Sequence, residues 1–571
     1  MYYGQASSPP MVMTAHWHPA DTLRRLDDDI LYTIFGMLRP RQNLRPLSLT
    51  CKWIRFACSP VLFRECFVLS WTVDASSGPQ FVPRALWPYI CAFHFTGSFN
   101  RSELPWVTED DGYPLDPLLD QGCIRRRVAS VKLGDTIREA LYSMALLCTV
   151  SIIIPCGAYA TGKPGVSPYV LEAIWSTPQL RHFVINGPLC HPEDPIPSGV
   201  TFSSVARLST FCYLLNLYRS PSKVTQTEKE VVLRVLLHTH DTLEVLVCPS
   251  ECFPSVDVMG LWQWPMLHEL IIRGERVATP PPLIHILSKM PRLRVLYLQL
   301  AEPAHAAAPL IWPPSLDLQC EWRELERLAV AHPHPDDNLY SNLPDTLLDL
   351  ALRCWPRNYK HHAHYNANQL EAGVRWSSPL LSSTEMLCIL RKIHAPRLTF
   401  LELEFRADSY DDQLFRHIGC AFPALTGLIV HRYRAPDEDV APLAAIADGL
   451  SALRRLEVLM LHLDFAGLPN ANLFERSSWR SRFLKPRTRK QLAEIDTTFT
   501  HAANVFAGLL GPALSYICFL RPLFYGSRHQ WIPFRIVRSA EDGVSVEKCR
   551  INASDTFQLP HSQRFSIYED D

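Results

Sequence analysis

The sequence is short of several things, and each shortage excludes a class. Charge nearly cancels, 56 Lys and Arg against 57 Asp and Glu for a net of −1, so the basic footprint of a nucleic-acid or polyphosphate binder is missing. Glycine is scarce, 23 of 571 residues, which excludes collagen-like and Gly/Ser-linker character. There is no Gly-x-x-x-x-Gly-Lys phosphate loop, no Gly-x-Gly-x-x-Gly, no Gly-x-Ser-x-Gly and no His-Glu-x-x-His. No Cys-x-x-Cys pair exists, and Cys248 with Cys252 lacks the second pair that would complete a zinc site. His361-His362-x-His364 and His332-x-His334-x-Asp336-Asp337 lack the i, i+4 spacing of a helical metal site and read as polar loops. We expect no catalysis, no metal and no cofactor. Long apolar spans are missing as well. The uncharged stretch Ala140 to Gly162 holds Pro155 and Gly157, and it changes period midway. Ile137, Ala140, Leu141 and Met144 have helical spacing, whereas Val150 and Ile152 to Ile154 read as a buried strand, so a core helix and strand are expected, not a membrane span.

What remains is an apolar-rich chain, 47% hydrophobic, too long for one compact core and therefore either several modules or a repeat array. Its 17 cysteines are an odd number scattered through apolar runs, the pattern of buried free thiols in a reducing compartment. Met1 to Gln5 shows no basic n-region, so no signal peptide is expected and the location is cytoplasmic or nuclear.

Residues 1–20 lack periodicity and read as a mobile tail, with a helical module over 21–67. Asp27, Asp28 and Asp29 suit a helix N-terminus, and Ile30, Leu31, Ile34, Phe35 and Leu38 follow as an apolar stripe up to Arg39-Pro40. A second helix is expected from about Leu44, with Pro46 in its first turn and Leu47, Cys51 and Ile54 on one face. Ser59-Pro60 reads as the start of a short third helix, Val61 to Glu65. Three such helices cannot bury every apolar residue they carry, so a partner or the next domain should cover the excess.

Leu26-Asp27-Asp28-Asp29-Ile30-Leu31, then Leu47-Ser48-Leu49-Thr50-Cys51-Lys52-Trp53, then Pro60-Val61-Leu62-Phe63-Arg64, together resemble an F-box, in the form common in fungi. The resemblance covers about a twelfth of the chain, and Asp27 stands where the family usually has Pro. It implies a hook for the Skp-type adaptor of a cullin–RING ubiquitin ligase, with Leu26, Ile30, Leu31, Ile34, Leu47, Cys51 and Trp53 facing the adaptor.

Beyond residue 120 an apolar-x-x-apolar-x-apolar pattern keeps returning. Copies begin at Val128, Leu147, Leu180, Val205 (weakly), Leu243, Leu267, Leu293, Leu325, Leu347, Leu398, Leu425, Leu456 and Leu514. Many follow an amphipathic segment and a Pro, as Leu283 to Met290 and Pro291 precede Leu293. The unit reads as helix, corner, strand, whose second and third apolar residues enter a shared core. This resembles irregular leucine-rich repeats. The expected fold is α/β: a small three-helix F-box module, a connecting or capping segment 68–124, a curved leucine-rich-repeat-like solenoid over 125–537, and an exposed tail 538–571.

Insertions near 354–380 and 466–505 carry Trp355, Tyr359, Trp376, Trp479, Arg482 and Arg487, residue types that anchor interfaces, and are the expected target-binding positions. The whole reads as the substrate-recognition subunit of a Skp–cullin–F-box ligase, contacting the adaptor and cullin core and an unknown protein target, but neither nucleic acid nor membrane. A leucine-rich-repeat scaffold without ligase partners is the alternative, and an enzyme hidden in the insertions is a third reading.

Overall fold

The computed structural model describes residues 26–38, 41–68, 82–96, 121–154, 165–190, 196, 200–215, 224–275, 282–303, 309–318, 322–353, 376–377, 380–435, 437–465, 489–521, 530–539 and 543–549. The chain divides into two compact units, Met1–Ser151 and Ile152–Asp571.

The first unit opens with three helices, α1 (Asp28–Met37), α2 (Arg41–Ser48) and α3 (Lys52–Leu62). Asp27 takes the extended N-cap conformation of α1. Its carbonyl, rather than its carboxylate, accepts from Ile30 N and Leu31 N at 3.0 and 3.1 Å. Leu31 and Phe35 then fall on one face, one turn apart, and meet Leu44, Ile54 and Cys58 in a core of five buried side chains. The boundaries of α2 and α3 differ from the sequence expectation. Helix α2 starts at Arg41, which puts Pro46 in its interior, and α3 starts at Lys52 and runs through Pro60. The reason is local: Cys51 is extended, and its Sγ accepts from Ile54 N at 3.4 Å, so the helix nucleates there. Ser59 caps nothing and instead donates back to Arg55 O at 2.8 Å.

Strands β1 (Glu65–Val68) and β2 (Ala92–Thr96) follow, paired in parallel, then α4 (Gln121–Ser143) and β3 (Thr149–Ile153). Ile90, Phe93 and Phe95 are buried at 1% exposure or less, so Ile90-x-x-Phe93-x-Phe95 is a repeat copy within the stretch expected only to connect. By contrast Val128, Val131 and Leu133 lie in α4, and that expected strand does not exist. Apolar residues three and then two apart can sit in a helix as well as in a corner and strand, and here they fall within the 23-residue α4.

In the second unit β4 (His182–Asn186), β5 (Thr210–Leu214), β6 (Val245–Pro249), β7 (Glu269–Glu275), β8 (Val295–Pro303), β9 (Arg327–Ala331) and β10 (Asp349–Arg353) pair in parallel, each with the next. Strand β11 (Trp376–Ser377) lies antiparallel on the end of β8. The parallel ladder resumes from β10 through β12 (Phe400–Arg406), β13 (Gly427–Tyr433), β14 (Val458–Leu463) and β15 (Tyr516–Arg521). It closes with an antiparallel β16 (Gln530–Ser539) and β17 (Gly543–Lys548). The last strand corrects the reading of residues from 538 as a plain tail, although β17 is mostly exposed.

Register explains the sequence pattern. Phe183, Phe211, Leu246, Leu270, Leu296, Leu328, Leu350, Leu401, Leu428, Leu459 and Ile517 stack rung on rung, two residues ahead of a second stack from Ile185 to Phe519. The pairing Phe183–Phe211 also moves the weak copy from Val205 to Leu208-x-x-Phe211-x-Tyr213. Both stacks are buried to 3% exposure or less. Each such side chain contributes about 1.5–3 kcal/mol on leaving water. Corners repeat as well: the carbonyl of the residue after the first Leu accepts two N–H groups from the following rung, as Glu244 O does from His268 N and Glu269 N at 2.9 and 3.1 Å.

Helices α5 (Pro168–Trp175), α6 (Gln226–Thr239), α7 (Val256–Met259), α8 (Ile284–Leu287), α9 (Ser383–Lys392), α10 (Asp411–Ala421), α11 (Leu443–Leu450) and α12 (Arg489–Leu509) lie between the strands in sequence. They cover the Leu side of the sheet: Trp175 meets Phe183, Phe415 meets Phe405 and Phe499 meets Phe519, at centroid distances of 5.3, 6.1 and 5.1 Å. Helix α12 buries Ile495, Phe499, Ala502, Ala503 and Phe506, so residues 489–505 are the helix of a repeat and not part of an insertion. Helices α10 and α11 approach closely because Gly419 and Gly449 face each other; a Cβ on Gly419 would stand 2.5 Å from Gly449 O.

Candidate interaction surfaces

Two features stand out, an exposed apolar face in the three-helix module and a buried polar layer in the repeat sheet. In the three-helix module, residues 30, 34, 37 and 38 fall on one face of α1 by helical spacing, and Leu26 precedes its N-cap. Ile30 is 46% exposed, Met37 78% and Leu38 36%, while Leu26 and Ile34 are half-buried. Leu49 and Phe56 stand out at 67% and 71%. A core of five side chains is too small to draw these residues in.

Of the positions the sequence assigned to this face, Ile30 is open, and Leu26, Ile34, Leu47, Cys51 and Trp53 are half-buried against the module's core. Leu31 is 3% exposed and belongs to that core, so it supports the face from beneath. Met37, Leu49 and Phe56 were not singled out from the sequence; Met37 completes the i, i+4, i+7 series from Ile30 and was findable by that spacing.

The second is the sheet side opposite the helices, a buried layer of residues that alternate with the Leu stacks. Its middle is an apolar strip that includes Cys212, Val247, Ile271, Tyr297, Ala329, Ala351, Ile429, Met460 and Cys518. Beside the strip runs a polar row, one residue past six of the repeat copies: Arg273, Gln299, Arg353, Glu404, His431 and His462, all 6% exposed or less. Several of these groups bond to side chains on neighbouring strands. Arg353 Nη2 donates to Glu402 Oε2 at 2.8 Å, and His431 Nε2 lies 3.6 Å from Glu402 Oε1. Tyr433 OH donates to Glu404 Oε1 at 3.0 Å. The His431 ring contacts Trp531 and His462 edge-on or tilted, at 5.7 and 6.1 Å. Burial raises the Tyr297 hydroxyl well above its ordinary range, so it stays protonated as a donor. With Glu402 bonded to Arg353 and Glu404 to Tyr433, this buried layer ties neighbouring strands together.

Trp355, Tyr359, Trp479, Arg482 and Arg487 lie outside the described residues, as does His361-His362-x-His364. Trp376 is in β11, its backbone opposite Pro303. The His332 to Asp337 stretch is a turn: His334 Nδ1 accepts from Asp336 N at 3.1 Å. Asp337 accepts from Ile311 N, Trp312 N and Leu339 N at 2.7, 3.0 and 2.9 Å. Cys248 sits in the buried Leu-side stack. Among the described residues no group of three or more His, Cys, Asp or Glu is placed to hold a metal ion, and no helix is long and apolar enough to cross a membrane.

No protein-family profile matches the chain, and no curated protein matches it. Among solved structures it is similar to that described as a TLR13–ssRNA13 complex, with 10% identity over 67% of this chain and a TM-score of 0.31. The match spans 37% of that chain.

Proposed function

We infer that the chain is a substrate-recognition subunit of a Skp–cullin–F-box ubiquitin ligase. The α1 face of Ile30, Ile34, Met37 and Leu38 receives the Skp-type adaptor, and the repeat sheet of the second unit holds a protein target. The observation that carries the reading is the juxtaposition, in one chain, of a three-helix module with an uncovered apolar face and a parallel repeat ladder with a built polar row. The F-box-like residues at 26–31, 47–53 and 60–64 give the module its assignment. Chemistry is supplied by the ligase: one chain that holds adaptor and target raises the effective concentration of target lysines at the conjugating enzyme.

Ile30→Asp with Met37→Asp tests it, because both positions are open and the module's core is untouched. Co-purification of the full chain with a Skp-type adaptor should drop at least tenfold while the circular dichroism spectrum stays unchanged. Undiminished capture sinks the docking face. No capture by the unmodified chain sinks the ligase reading and leaves a repeat scaffold.

A further inference from the structure

The corner pattern aligns one residue of each rung with its counterpart on the next. In the first unit these are Arg64, Cys91 and Cys148. Cys91 N and Ala92 N donate to Arg64 O at 2.8 and 2.9 Å, and Cys148 N and Thr149 N donate to Cys91 O at 2.9 and 3.1 Å. Cys91 and Cys148 are therefore directly opposite on neighbouring parallel rungs, about 4.8 Å apart in the hydrogen-bonding direction. Equivalent residues of parallel strands direct their side chains to the same side. That rung spacing lies within the Cα range of about 4.4–6.8 Å that a disulfide spans. Cys148 Sγ already reaches the Cys91 carbonyl at 3.5 Å. The same column in the second unit shows that such neighbours meet, since His268 Nε2 lies 3.7 Å from Glu244 Oε2. Both thiols are free and half-buried, neither sealed from solvent.

We propose that Cys91 and Cys148 are a redox modification site, two thiols that a hydroperoxide converts to a disulfide stapling neighbouring rungs of the first unit. The reaction balances in two steps. One thiolate attacks the peroxide oxygen, becoming a sulfenic acid as hydroxide leaves and takes up a proton. The second thiolate then attacks the sulfenic sulfur and expels a second hydroxide. Two thiols and one hydrogen peroxide thus give one disulfide and two waters, with two electrons passing to the peroxide. Burial raises the Cys91 thiol above its ordinary range; the Arg64 guanidinium beside it opposes this, and Cys148 adds to it. Reaction is therefore slow at neutral pH, and its rate follows the thiolate fraction, roughly tenfold per pH unit below the thiol pKa.

The test treats the full-length reduced chain with hydrogen peroxide between pH 7 and 9, alkylates it, and digests it without reductant for mass spectrometry. A linked peptide pair holding Cys91 and Cys148 is expected, forming faster at higher pH and absent from Cys91→Ser and Cys148→Ser. Alkyl label on both residues, or pairing of either with another cysteine in comparable yield, overturns the assignment. Thermal unfolding supplies an independent readout. The oxidised chain should melt a few degrees higher, about the effect of a native-like cross-link. An equal rise in Cys91→Ser overturns the staple.

Discussion

The three-helix module and the repeat ladder use the same apolar residue types and end with opposite surfaces. In the module, α1 to α3 close on five buried side chains and leave Ile30, Met37, Leu49 and Phe56 between 46% and 78% exposed. In the ladder, each rung is covered by the next, and eleven rungs of Leu-type residues are buried almost completely. A core grows with volume in the one case and by addition in the other, so a short helical piece runs out of interior while an array does not. Uncovered apolar surface is thus a property of the module's size, and the buried polar row is a property of the ladder's register.

The largest break in that contrast should come from the row. Arg353 and Glu402 have side chains 5% and 3% exposed, so Arg353→Met leaves a carboxylate without its strongest partner. We expect a loss of about 3–5 kcal/mol in denaturant unfolding, and near-recovery in the double variant with Glu402→Leu. Recovery to within about 1 kcal/mol would say that the pair adds little net stability over an apolar one.

Next in size, Leu428→Ala in the stacked core should cost about 2–5 kcal/mol, whereas Met37→Ala should change stability by less than about 0.5 kcal/mol. Comparable losses would mean that Met37 is covered in solution. Glycines sharpen the comparison further. A Cβ on Gly449 would stand 2.7 Å from Phe415 Cβ, while one on Gly36 meets nothing within 4 Å. Gly449→Ala should destabilise by about 1–3 kcal/mol, and Gly36→Ala should stabilise α1 by up to about 1 kcal/mol.

Sequence and structure agree where the pattern is long and repeated. Eleven of the thirteen expected corners, from Leu147 to Leu514, are seen where expected; Val205 shifts to Leu208 and Val128 is lost to a helix. Copies with aromatic residues, such as Ile90-x-x-Phe93-x-Phe95, escaped a search led by Leu. The helix boundaries at Pro46 and Pro60 were misplaced because proline was read as a start signal, while Cys51 supplied the cap. The polar row was legible in principle, since Arg353, Glu404, His431 and His462 each follow a copy by one residue. Their pairing was not, because Arg353 bonds diagonally to Glu402 on a strand that is 49 residues away in sequence.

The smallest effect contrasts two aspartates that do the same work at different depths in the second unit. Asp337, 1% exposed, accepts three backbone N–H groups, yet burial outweighs those bonds and raises its carboxyl above the ordinary range. Asp408 lies nearer the surface. Burial pulls it upward as well, but hydrogen bonds from Tyr410 N, the Thr384 hydroxyl and N–H, and Ser382 prevail and hold it below that range. A raised carboxyl binds its proton more tightly when folded, so Asp337 favours the fold below the unfolded pKa of about 3.9, and that contribution fades as pH rises through its folded value. A lowered one does the reverse: Asp408 contributes stability above about pH 3.9 that is lost as pH falls through its folded value. Subtracting the unfolding free energy of Asp337→Asn from that of the unmodified chain between pH 3 and 6 should therefore leave a falling line, and the same subtraction for Asp408→Asn a rising one. Slopes of the same sign would mean that depth within the ladder does not decide how such a carboxylate titrates.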